Sequence, residues 1–165
     1  SEISKKKIAI LKESEFSYTS EIRFKGYLRA LKTYNIPIDE KYILSTDDIS
    51  LDKGKIMTRQ LISLQDRPDA IFSITDDAAI GAIQILKKFK IKIPDEIAVI
   101  GFSNSLNSKI IEPNLTTVDQ PGKRIGELCV DFLIKEIDQP KEYLTSKTIE
   151  IKTNLIIRDS TLTSL

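Results

Sequence analysis

Four short apolar runs punctuate the first hundred residues: Ile8-Ala-Ile-Leu11, Lys41-Tyr-Ile-Leu-Ser45, Asp69-Ala-Ile-Phe-Ser-Ile74 and Ile97-Ala-Val-Ile-Gly-Phe102. Between them lie segments whose apolar residues recur every three or four positions. The first carries Phe24, Tyr27, Leu28, Leu31 and Tyr34 from about Glu21 to Asn35, with Ser20 as N-cap. The second, capped by Ser50, carries Ile56, Met57, Leu61 and Leu64; the third carries Ala79, Ile80, Ile83 and Leu86. Continuous apolar runs suit strands buried on both faces, and the longer period suits amphipathic helices. Strand and helix in strict alternation, with short connections, predict an α/β fold: a parallel sheet with helices on both faces, in three layers. Leu115-Thr-Thr-Val118 reads as a fifth strand.

After residue 120 the pattern changes. Pro121 opens an amphipathic helix to about Asp138; Thr148-Ile-Glu-Ile-Lys152 alternates like a strand with one wet face, and Leu155-Ile-Ile-Arg158 reads as a short apolar strand. At 165 residues the chain fits one ordinary domain. Its 25 basic and 24 acidic residues nearly cancel, so nothing in the balance marks a polyanion-binding surface. A lone cysteine, Cys129, rules out an internal disulfide, and its helical spacing with Ile125, Leu128, Phe132 and Leu133 reads as a core thiol. Histidine is absent, which removes the commonest general base and imidazole metal ligand. No segment approaches a membrane span, and the N-terminal Ser-Glu-Ile-Ser-Lys-Lys-Lys has no signal-peptide apolar region.

In parallel sheets ligands bind beyond the carboxyl ends of the strands. Those ends are polar here: Lys12 to Thr19, Ser45 to Ser50, Thr75-Asp76-Asp77 and Ser103-Asn104-Ser105. Each admits a plain reading and a functional one. Thr75 and Asp76 suit a helix cap or a hydroxyl-binding rim. Arg23, one turn into the first helix, is a solvated charge or a fork reaching ligand oxygens. Gly26 interrupts that helix, which suggests close packing at that point or a neighbour that cannot tolerate a side chain. Ser103 has neither a histidine partner nor an elbow motif, and the glycines form no nucleotide fingerprint, so catalysis by a triad and nucleotide binding through a Gly-rich loop are both disfavoured. No cofactor and no metal site is expected.

Five segments in order resemble the effector-binding half of lactose/galactose-repressor-type transcriptional regulators. They are Arg23-Phe-Lys-Gly-Tyr-Leu-Arg-Ala-Leu31, Arg67-Pro-Asp-Ala-Ile-Phe72 with Asp76-Asp-Ala-Ala-Ile-Gly-Ala82, Ile93-Pro-Asp-Glu-Ile-Ala-Val-Ile-Gly-Phe102, Pro113-x-Leu-Thr-Thr-Val-x-Gln-Pro121, and Leu155-Ile-Ile-Arg-Asp-Ser-Thr161. The resemblance implies a type I periplasmic-binding-protein-like, flavodoxin-like subdomain over residues 1–120. It further implies a crossover helix over 121–140 that packs on a first subdomain, and C-terminal strands over 141–165 returning to this one. It implies a cytoplasmic homodimer that binds a small sugar-like effector and performs no chemistry. DNA would be bound only through a helix-turn-helix that, like the first subdomain, lies outside residues 1–165, so the chain is expected to be the C-terminal piece of a longer regulator.

By the same resemblance Arg23 clamps the effector, with Thr19, Ile49, Thr75, Asp76, Ser103 and Asn104 around it, while Ile80, Ile83 and Ile111 lie at a dimer face. Two positions depart from the family. Ser103 replaces a frequent aspartate, and Ile49 replaces a frequent aromatic ring, so the grip is smaller and neutral. The rival reading is a periplasmic sugar-binding protein of a transporter, which shares the fold. The Pro113–Pro121 and Arg158–Thr161 segments favour the regulators. An α/β enzyme using Asp76 and Asp77 is the remaining rival, and no nucleophile–base pair supports it.

Overall fold

The computed structural model describes residues 6–14, 17–137 and 148–162. Six strands form one sheet: β1 (Ile8–Glu13), β2 (Ile43–Thr46), β3 (Ala70–Ser73), β4 (Ala98–Phe102), β5 (Thr116–Asp119) and β6 (Asn154–Ile156). Their order is β2-β1-β3-β4-β5-β6; the first five run parallel, and β6 pairs antiparallel to β5. Four helices connect them: α1 (Tyr18–Thr33), α2 (Leu51–Ser63), α3 (Asp76–Lys88) and α4 (Gly122–Ile137).

Alternation along the strands assigns the layers. Ala9, Leu11, Ile71 and Val99 face one way and pack with Met57 and Leu61 of α2 and Ile83 and Leu86 of α3. Ile10, with Ile8 and Phe72, faces the other way and packs with Tyr27 and Leu31 of α1. The sheet is therefore covered by α1 on one face and by α2 and α3 on the other, giving the expected three layers.

On the second face α2 and α3 cross at backbone contact. A β-carbon on Gly54 would run into the Ala78 carbonyl, and one on Gly81 into the Leu51 carbonyl. The two glycines let the helices approach closely enough to bury Met57, Leu61, Ile83 and Leu86 together. Gly26 behaves differently: among the described residues nothing lies within 4 Å of a β-carbon placed there, so they do not supply the close packing expected from the sequence. Gly26→Ala should therefore stabilise the fold by about 0.5–1 kcal/mol through helix propensity, read as a higher urea midpoint. A lower midpoint would mean that something else packs on that face.

Several expectations need correction. Helix α1 is capped by Ser17, whose hydroxyl accepts from Ser20 N, while Ser20 lies inside the first turn and donates its own hydroxyl to the Glu13 carbonyl. Ile80 and Ile83, expected at a dimer face, are 4% and 0% exposed, sealed in the α2/α3 core. Ile111 is half-buried against that same core. Residues 148–153 form no strand, although they alternate. A strand needs a partner for its N–H and C=O groups, and on the edge away from β4 the described pairing of β5 takes in Asn154–Ile156 and stops there. Cys129 is exposed rather than buried. Helix α4 has no buried residue, and Val130, Leu133, Ile134 and Ile137 are all exposed. The expected end of that helix, near Asp138, lies just outside the described residues.

Among the described residues no helix is long and apolar enough to cross a membrane. None of their His, Cys, Asp and Glu side chains gather in a group able to hold a metal ion.

Candidate functional site

The carboxyl ends of β1, β3 and β4 converge on one polar rim. Arg23 rises to it from α1. Its Nη1 donates to the Ile74 carbonyl at 2.7 Å, just beyond β3, and its guanidinium carbon stands 3.9 Å from the centre of the Phe102 ring at the end of β4. Stacking on an aromatic face while hydrogen-bonding a carbonyl holds the planar fork in one orientation. Burial pulls the guanidinium below its ordinary pKa, and the nearby Glu13 charge opposes that shift. Among the described residues its remaining N–H groups have no partner, so they are available to a ligand's oxygens.

Directly after Phe102 the backbone enters the left-handed region twice, with φ of 122° at Ser103 and 50° at Asn104. Neither residue is glycine, so this geometry is strained and must be held by neighbours. Ser103 N donates to the Val118 carbonyl, Asn104 N to Thr117 Oγ1, and Ser105 N to Asp76 Oδ2 at 2.7 Å. The Ser103 side chain is left exposed on the rim.

Asp76 is 2% exposed, and its second oxygen accepts the Thr117 hydroxyl at 2.6 Å. Both carboxylate oxygens are thus engaged within the protein, at the N-terminus of α3, where the helix dipole favours a negative charge. Gly101 makes room for it: a β-carbon there would strike Asp76 Oδ1. Thr75 caps α3 by accepting from Ala78 N and donates to the Ile49 carbonyl at 3.2 Å, tying the β2–α2 loop to the β3–α3 turn. Ile49 itself is half-buried between the two core clusters. Thr19 is exposed in the first turn of α1.

Arg23, Thr75, Asp76, Ser103 and Asn104 therefore cluster at the strand ends, with Thr19 and Ile49 on adjoining segments. Asp76 and Thr75 spend their polar atoms on the scaffold; Arg23 and Ser103 are the members with groups to spare.

Three charged residues of the rim escaped the sequence reading. Lys12, at the end of β1, is 6% exposed; its Nζ donates to the Glu13 carbonyl and to Glu21, and lies 5.0 Å from the Phe24 ring centre. A lysine after an apolar run looks like the start of a loop. Asp119 accepts from Asn104 Nδ2 at 2.8 Å, yet it fills a variable position of its motif. Arg158 donates Nη2 to Asn104 Oδ1 at 2.6 Å and Nη1 to Ser108 Oγ and the Leu115 carbonyl. The only signal for Arg158 was its place in the Arg158–Thr161 motif.

A half-buried arginine with unpaired N–H groups stands over polar strand ends, the place where α/β folds hold small ligands, and no catalytic pair is seen among the described residues. Residues 5–161 match the periplasmic binding protein-like domain, and the chain belongs to that family. Within it, the chain is 34% identical over 138 residues to the HTH-type transcriptional repressor PurR of Photorhabdus laumondii, covering 84% of this chain and 40% of that protein. It is 34% identical over 156 residues to the NTD biosynthesis operon regulator NtdR of Bacillus subtilis, covering 94% of this chain and 47% of that one. A LacI-family regulatory protein from Chloroflexus aggregans superposes with a TM-score of 0.86 at 32% identity, over 94% of this chain and 55% of that one. The chain is thus similar to a domain of LacI-type regulators. These relatives are regulators rather than enzymes, and the chain spans less than half the length of the two curated ones.

Proposed function

We propose that this chain is the effector-binding and dimerisation module of a LacI-type, DNA-binding transcriptional regulator of the cytoplasm, and that its effector is a sugar or polyol. The half-buried Arg23 fork, held over Phe102 with N–H groups to spare beside the exposed Ser103 hydroxyl, carries the reading. Such a pair grips vicinal hydroxyls by hydrogen bonding without a facing carboxylate. A structural relative, the regulator CelR in complex with cellobiose (25% identical, TM-score 0.87), supports a carbohydrate ligand for this kind of cleft. A periplasmic transport receptor is the second reading; the named relatives, all regulators, weigh against it.

In this account the effector is closed between this subdomain and a first one, and closure selects between DNA-binding states. Helix α4, with its apolar residues exposed, crosses to that first subdomain. The dimer face lies around Leu106 and Ile110, 72% and 68% exposed on the short helix and turn that pack beside α3.

A thermal-shift screen of mono- and disaccharides, polyols and nucleobases on the intact regulator tests the assignment. A sugar or polyol should raise Tm, and Arg23→Met should weaken its binding about 30-fold, with a lower unliganded melting point from the lost bond to the Ile74 carbonyl but a folded chain. That factor corresponds to about 2 kcal/mol for a hydrogen bond to a charged group. Unchanged affinity in Arg23→Met would remove this residue from the site. Binding of nucleobases alone would overturn the carbohydrate assignment.

A further inference from the structure

The strained turn at Ser103-Asn104 is held from one side by the Asn104 amide. Its Oδ1 accepts from Arg158 Nη2 at 2.6 Å, and its Nδ2 donates to Asp119 Oδ1 at 2.8 Å. The arrangement is directional: an acceptor must face the cation and a donor must face the carboxylate, and a carboxamide is the one side chain of that shape that does both. Arg158 is itself fixed, because Nη1 donates to the Leu115 carbonyl at 2.7 Å and to Ser108 Oγ at 3.0 Å. It follows β6, the strand that re-enters the sheet after α4, and lies 54 residues from Asn104 in sequence.

We infer that Arg158 and Asp119 are positioning residues for the effector rim. They clamp the Asn104 amide, the clamp holds Ser103 in its left-handed conformation, and the seating of the returning β6 segment is thereby coupled to the shape of the binding site. This inference rests on the proposal that the rim binds an effector, and it divides the labour there. Ser103 presents the contact; Asn104 spends its amide on holding the turn. A regulator wired in this way senses at its rim whether the crossover segment is in place.

The clamp has a swap test, because a carboxylate at 104 and an amide at 119 satisfy the same two bonds in reverse. In Asn104→Asp two carboxylates face each other and the Asp119 bond is lost. In Asn104→Asp with Asp119→Asn the new amide donates to the new carboxylate, which still faces Arg158. Hydrogen exchange on the full native polypeptide without ligand reads the clamp directly. The Ser103, Asn104 and Ser105 amides should exchange at least 10-fold faster in Asn104→Asp and in Arg158→Met, with Val99 to Gly101 unchanged. The double variant should return to within about threefold of the parent. Because no ligand is used, this result stands or falls independently of the effector assignment.

Cellobiose, as the probe, or any carbohydrate that raises Tm in the screen then tests the coupling. Its affinity should fall and recover in step with rim protection. Unaltered rim exchange in Asn104→Asp, or a double variant no better than the single one, overturns the clamp. Uniform acceleration that includes Val99 to Gly101 assigns these residues to general stability and also overturns it. Rim exchange that changes without any change in affinity for a ligand that does bind overturns the positioning role.

Discussion

Gly81→Ala is expected to destabilise the fold by about 3 kcal/mol, the upper part of the range for overpacking a close-packed core. The added methyl meets the Leu51 carbonyl, a backbone atom at the N-terminal end of α2 that has no rotamer to escape into. Relief requires α2 and α3 to move apart, and that separation loosens Met57, Leu61, Ile83 and Leu86, all at or near zero exposure. Gly54 faces the same constraint from the other helix, against Ala78. The measurement is a urea titration of parent and variant, with the slope checked for constancy. A loss under about 1 kcal/mol would mean that the helices separate freely and that the crossing is not tight. The comparison with Gly26→Ala is internal: the same substitution in the same chain carries the opposite sign, because one glycine faces backbone and the other faces open space.

Asp76→Asn should cost about 3 kcal/mol, and its effect should concentrate at the rim. Both oxygens of Asp76 accept hydrogen bonds, from Thr117 Oγ1 and from Ser105 N. An asparagine offers one oxygen and one NH2: its oxygen can keep the Ser105 N–H, but its NH2 can only donate to Thr117 Oγ1, so that hydroxyl loses its charged acceptor in a site that is 2% exposed. Losing a hydrogen bond to a charged acceptor costs about 1.5–3 kcal/mol, and the carboxylate's attraction to the α3 N-terminus goes with it. Denaturant titration gives the total. Exchange at the Ser105 amide gives its location. A loss below about 1 kcal/mol would show that Asp76 is replaceable as the fastening between α3 and the 103–105 turn.

The outline of the fold was legible along the chain. Continuous apolar runs such as Ile8–Leu11 and Ile97–Phe102 announced strands covered on both sides, and Ser50 and Thr75 marked helix starts at the positions where their side chains now cap α2 and α3. Local chemistry and spacing suffice for such features, since the partners lie within a turn or a strand. The alternation at Thr148–Lys152 shows where that reasoning stops: the pattern suits a strand, but among the described residues no neighbouring strand reaches it.

What the tertiary structure decided is which apolar face is covered and which polar atom is spent. Ile80 and Ile83 share a helical stripe that suits an interface as well as a core; only the approach of α2, permitted by Gly54 and Gly81, sealed them inside. Cys129 sits on an equally convincing stripe, and α4 leaves it uncovered because no element of the described chain packs there. At the rim, Asp76 and Asn104 look like ligand contacts by composition and position. The structure commits their polar atoms to Thr117, Ser105, Asp119 and Arg158, partners 15 to 54 residues away. Sequence spacing carries period and local capping, and so it determined most of the elements, their order and the polar end of the sheet. Hydrogen bonds between distant segments depend on how the strands register and the helices cross, and that packing alone separated the side chains that hold the rim from those left with unspent polar groups.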